Sequence, residues 1–157
     1  LLNARNGIKV GVINIIGRVY MQPADSPFEA VDREIEQLKK KTDIIIVDFH
    51  AEATSEKIAM GYYLDGKVSA VFGTHTHVQT ADETVLPKET GYITDLGMTG
   101  PIHSVLGMEK NTIIKKFIDG IPARFEPATG KGRLCGCVFD IDEQSGKSVK
   151  AERVCFE

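Results

Sequence analysis

Three of the chain's four histidines stand at positions where their side chains could act together. His50 directly follows the apolar, β-branched run at residues 44–49, and His75 and His77 follow a second such run at 68–72, across Gly73 and Thr74. Neutral imidazole is a ligand for borderline transition metals such as zinc, iron or manganese. His75 and His77 are two apart, so in extended backbone both rings would turn to one side. Each ring taken singly could equally be a partly buried side chain satisfied by hydrogen bonds.

The elements around them favour convergence. Residues 44–49 read as an interior strand. Ile58, Ala59, Tyr62 and Tyr63 recur at helical spacing over residues 55–64, and Asp65-Gly66 ends that segment as a turn. Residues 68–72 read as the next strand. Strand, helix and strand in so short a stretch form a βαβ unit, whose strands are parallel and whose crossover is right-handed. Parallel neighbours end on the same edge, so His50 and the His75/His77 pair are expected at the carboxyl edge, where open α/β sheets bind ligands.

The rest of the chain extends this frame at both ends. Residues 8–16 read as a strand. Ser26-Pro27-Phe28-Glu29 has the form of a capping box, followed by an amphipathic helix marked by Phe28, Val31, Ile35 and Leu38 and ending near Lys39-Lys40-Lys41. Residues 92–95 form a short strand candidate, and the glycine-punctuated loop after it either approaches a ligand or simply turns. Residues 109–118 read as a further helix, with Gly120 and Pro122 beyond its end. From Ala123 the pattern has period two, and residues 124–126, 134–141 and 148–156 read as an antiparallel meander.

The sequence, 157 residues with 42% hydrophobic and 26% charged, suits one globular domain. Its net charge of −3 and scattered lysines give no pull toward extended nucleic acid or an anionic membrane. No run approaches the roughly 20 apolar residues of a membrane span, and no leader pattern is present, so a cytoplasmic location is expected. Three cysteines make a poor disulfide framework, and Cys135, Cys137 and Cys155 read as simple thiols. There is no P-loop, dinucleotide fingerprint or nucleophile elbow.

The segments Asp48-Phe49-His50-Ala51-Glu52-Ala53-Thr54 and Gly73-Thr74-His75-Thr76-His77-Val78-Gln79-Thr80-Ala81-Asp82 resemble the YmdB-type bacterial metallophosphoesterases, a branch of the calcineurin-like superfamily. The likeness continues through Asp95-Leu96-Gly97-Met98-Thr99-Gly100-Pro101 to the final strand. It implies an α/β, mixed-sheet metallophosphoesterase-type sandwich whose dinuclear metal centre opens cyclic nucleotides. His50 matches the family's lone histidine ligand, and His75 and His77 match its histidine pair. The family's aspartate, glutamate and asparagine ligands, and its glycine-asparagine-histidine motif, have no counterpart before Ile8. Residues 1–157 are thus expected to be the C-terminal portion of a single metallophosphoesterase domain, with the general-acid histidine and the N-terminal portion outside it.

Chemistry agrees with that reading. A two-metal phosphoesterase needs an anionic bridge to hold its ions about 3.5–4 Å apart, and three neutral imidazoles supply none. Asp48, Glu52, Asp82 and Asp95 lie near the histidines and are expected to orient them or to cap helices. The expected activity is metal-dependent hydrolysis of 2′,3′-cyclic nucleotides, with two divalent or trivalent transition metals, iron or manganese ahead of zinc. The partners are a small cyclic nucleotide, the N-terminal portion and, as an open question, a second copy of the chain. Two alternatives stand beside it. One zinc on His50, His75 and His77 would activate water as in three-histidine hydrolases, or the isolated chain is a catalytically inactive folded module.

Overall fold

The run that leads to His50 forms β3 (Ile45–His50) in a computed structural model that describes residues 1–157. Parallel to it lie β2 (Lys9–Ile16) on one side and β4 (Ala70–Thr74) on the other, with His50 opposite Ile16 and Thr74. The sheet continues through β6 (Gly91–Ile93), parallel to β4, and closes at its edges with the short antiparallel strands β1 (Leu2–Asn3) and β5 (Thr84–Val85). Its order is β1-β2-β3-β4-β6-β5, a mixed sheet.

The connections from β2 to β3 and from β3 to β4 are α1 (Pro27–Leu38) and α2 (Thr54–Leu64). Both crossovers advance the same way along the sheet, so right-handed connection puts both helices on one face. There Ile13, Ile15, Ile45, Val47, Phe49 and Val71 pack with Val31 and Ile35 of α1 and Met60 and Leu64 of α2 in one buried cluster. The alternate residues Asn14, Ile16, Asp48 and His50 occupy the opposite face, because side chains alternate along a strand. Neither α1 nor α2 covers that face, and Val12 and Ile16 on it are 45% and 38% exposed.

The α1 start follows its sequence signals: Pro27 opens the helix and Ser26 accepts from Glu29 N at 3.5 Å. The lysine run falls just beyond the helix, whose last turn carries no cation. α3 (Lys110–Asp119) has Glu109 as its cap, accepting from Thr112 N at 2.9 Å, and ends at Gly120 with φ 71°. A left-handed residue there is what glycine tolerates best.

The expected meander needs correction at its first strand. Residues 124–126 form no strand, because Pro122 and Pro127 flank them and proline removes ladder donors; only Pro127 makes a bridge, to Met108. The small antiparallel sheet consists instead of β7 (Gly100–Pro101), β8 (Gly132–Ile141) and β9 (Ser148–Phe156). It docks on the main sheet through polar backbone ties. Ser148 donates through N to Glu89 O at 2.9 Å and through Oγ to Ser69 O at 2.8 Å, while Phe139 lies against Gly91. No helix is long and apolar enough to cross a membrane.

Candidate metal centre

β3 and β4 end side by side, and this delivers His50 and Thr74 as register partners with His75 one residue further on. His50 Nε2 lies 3.2 Å from His75 Nδ1, and the two rings meet edge to face with centroids 4.9 Å apart. Two nitrogens held about 2.0–2.1 Å from one ion stand roughly 2.9–3.4 Å apart for octahedral to tetrahedral angles. The pair therefore fits two imidazole donors on one metal.

The far sides of both rings are also engaged. His50 Nδ1 is 3.0 Å from Thr74 Oγ1, which donates to Asp48 Oδ1 at 2.7 Å. Asp48 Oδ2 accepts from Asn14 Nδ2 at 2.7 Å. His75 Nε2 stands 3.0 Å from Glu52 Oε2. Asp48 and Glu52 thus bear on the imidazoles, as expected for orienting carboxylates. Asn14 and Thr74 were not legible as participants, since only the β2–β3–β4 register brings them to His50.

His77 departs from the extended arrangement. His75 has φ 106° and His77 φ 65°, so the backbone curls, and rings two apart no longer share one side. His77 Nδ1 faces the carbonyl oxygen of Leu106 at 3.0 Å. No three His, Cys, Asp or Glu side chains are disposed to hold an ion. The structure brings His50 and His75 together and leaves His77 beside them, turned to a neighbouring loop.

Positive φ in a non-glycine residue costs about 1–3 kcal/mol and persists where surroundings over-determine it. Here the determinant is Asp95. Its Oδ2 accepts from Thr76 N at 3.1 Å, Thr76 Oγ1 at 2.7 Å and Lys57 Nζ at 2.7 Å, and its Oδ1 accepts from Gly97 N at 2.8 Å. Thr76 is the residue between the two histidines, so the Asp95–Lys57 pair holds the loop that carries them. Gly73 permits this closeness: a Cβ there would lie 1.8 Å from Thr94 O.

Asp82 is structural as well. Burial pushes its carboxyl up, but hydrogen bonds from Thr80 and Thr94 prevail and hold it below the ordinary carboxylate range. Tyr92, beside it in a cleft of about 240 Å³ that includes none of the three histidines, is pushed up to about 12, chiefly by burial, and stays neutral. Burial raises the Cys135 and Cys137 thiols, so neither is an activated nucleophile at neutral pH. A second cleft of about 300 Å³ borders His77, with Gln79, Met98 and Arg133 among its walls.

The family model described as YmdB-like protein matches residues 1–154. The chain belongs to the YmdB-like family. It is 56% identical over 149 residues to the Bacillus subtilis (strain 168) protein named 2′,3′-cyclic-nucleotide 2′-phosphodiesterase, covering 95% of this chain and 56% of that relative. Two solved structures share the fold of this YmdB-like chain. One is a hypothetical protein of Thermus thermophilus, with TM-score 0.86 and 45% identity over 92% of this chain and 56% of that one. The other, described as a novel phosphatase of Mycoplasma pneumoniae, has TM-score 0.84 and 39% identity over 92% and 53%. The chain spans about half the length of the curated relatives it matches.

Proposed function

We propose that this YmdB-like chain forms the histidine half of a metal-dependent phosphodiesterase that hydrolyses 2′,3′-cyclic nucleotides. His50, His75 and His77 are its metal ligands, and an N-terminal portion of the same domain supplies the anionic ligands, the general-acid histidine and the rest of the sandwich. The observation that carries the reading is the 3.2 Å approach of His50 Nε2 to His75 Nδ1 at the carboxyl edge of the sheet. The name of the Bacillus subtilis relative supports the substrate class. Two iron or manganese ions, or zinc, would supply an activated water and positive charge near the departing oxygen when bound.

The chain's own residues orient and shape that chemistry. Asp48 and Thr74 fix the His50 ring, Glu52 stands beside His75, and Asp95 with Lys57 fixes the turn between His75 and His77. The cleft of about 300 Å³ beside His77 is at the small end of ligand sites, which suits a compact cyclic phosphate. The net charge of −3 disfavours long nucleic acid. The half-exposed Val12 and Ile16, on the face that α1 and α2 leave open, offer the N-terminal portion an apolar seat. The one-zinc alternative has less support, because His77 faces Leu106 O and not the gap between the other two rings.

The test is hydrolysis of 2′,3′-cyclic nucleotides by the complete protein with manganese or iron, beside His50→Ala, His75→Ala and His77→Ala. Each substitution is expected to lower kcat by orders of magnitude with circular dichroism unchanged. Activity confined to phosphomonoesters, or wild-type turnover in folded variants, would overturn the assignment.

A further inference from the structure

Hydrogen-bond direction decides which nitrogen of His50 carries its proton. The Asp48 carboxylate can only accept, and it takes one hydrogen from Asn14 Nδ2 and one from Thr74 Oγ1, each at 2.7 Å. A hydroxyl has a single hydrogen. With that hydrogen aimed at Asp48, the Thr74 oxygen must accept from its other neighbour, His50 Nδ1 at 3.0 Å. His50 is therefore Nδ1–H, and the lone pair of its neutral ring lies on Nε2. His75 Nε2 stands 3.0 Å from Glu52 Oε2. His50 Nε2 and His75 Nδ1 are the two atoms that approach to 3.2 Å.

We propose that Asp48, acting through Thr74, is a positioning residue that holds His50 in the Nδ1–H tautomer, so that its Nε2 lone pair enters the gap facing His75 and is available to a transition-metal ion. The inference rests on the metal-centre reading and adds to it the ligating atom of His50. His75 Nδ1 stands at hydrogen-bond distance from that lone pair, 3.2 Å, and can donate to it in the metal-free protein. The arrangement also assigns Asp48 a supporting place: both its oxygens are already engaged, by Asn14 and Thr74. Thr74 is the decisive link, because a hydroxyl is the only group on the path able to accept from the ring while donating to the carboxylate. Valine has nearly its shape and neither capacity.

Two measurements on the complete protein test this. In metal-stripped, ¹⁵N-histidine-labelled protein, two-bond ¹H–¹⁵N correlations are expected to show His50 as the Nδ1–H tautomer. Thr74→Val is expected to shift His50 toward Nε2–H, and Thr74→Ser to restore it. Manganese affinity by titration calorimetry is expected to fall about 10–100-fold in Thr74→Val and to recover in Thr74→Ser, the range typical of groups that orient metal-bound histidines. An Nε2–H tautomer at His50 in the wild-type protein overturns the proposal, and that spectrum decides even where a variant does not fold. Unchanged tautomer and affinity in a folded Thr74→Val protein also overturns it. Wild-type protein that binds no manganese, iron or zinc while His50 is Nδ1–H upholds the tautomer assignment and sinks the metal-centre reading, so the two failures are distinct.

Discussion

Lys57 Nζ stands 2.7 Å from Asp95 Oδ2, and both side chains are 1% exposed. The pair ties α2 to the loop after β6, and its carboxylate also receives both hydrogens that Thr76 can give. Removing one member of a buried ion pair strands the other charge, which costs about 3–5 kcal/mol. Lys57→Ala is therefore expected to lower unfolding stability by that amount in urea titration. Replacing both, as Lys57→Met with Asp95→Leu, is expected to cost less than the single change. A loss under about 1 kcal/mol in Lys57→Ala would show the pair to be solvated in solution.

Gly73→Ala tests the close approach of β4 to the backbone just past the end of β6. The added carbon would meet the Thr94 carbonyl at 1.8 Å, and a backbone atom held by both neighbours cannot retreat as a side-chain tip can. Overpacking of a core typically costs about 1–3 kcal/mol, and this substitution is expected at or above that upper end. A melting temperature within a degree or two of wild type would contradict it.

Asp82 makes stability pH-dependent in a predictable direction. Its folded-state carboxyl titrates below the ordinary value of about 3.9, so its contribution is complete above that pH and fades as pH falls through the depressed value. Urea unfolding measured between roughly pH 6 and pH 2 is expected to show a shallower acid loss in Asp82→Asn than in wild type. Identical acid slopes would remove Asp82 from the account.

Metal should stabilise the fold by mass action and in proportion to occupancy. A ligand at a hundred times its Kd adds about 2.7 kcal/mol. Manganese is expected to raise the Tm of wild-type protein, and a chelator to reverse the rise, while His50→Ala responds to neither. None of the three histidines belongs to the buried apolar cluster, so the chelated protein should keep its circular dichroism spectrum. Loss of that spectrum on chelation would mean that the ion holds the fold as well.

The βαβ frame and the shared edge are legible in residue order alone. Apolar β-branched runs before His50 and before Gly73, with a helical segment between, leave little choice once crossover handedness is applied, and the register places His50 beside Thr74. Local chemistry likewise sets the starts of α1 and α3 and the glycine stop at Gly120. What followed from longer range was not legible. The third strand of the small sheet is Gly100–Pro101, taken from a loop, because a two-residue strand carries no periodic signal and the prolines around residues 124–126 exclude the segment whose pattern looked better. The turn of His77 away from His75 depends on Asp95, 19 residues after Thr76, and on Lys57, 38 residues before Asp95. Side-chain alternation assumes extended backbone, and here a buried ion pair overrides it. The Asn14–Asp48–Thr74–His50 chain likewise joins three strands, so only tertiary register could assemble it.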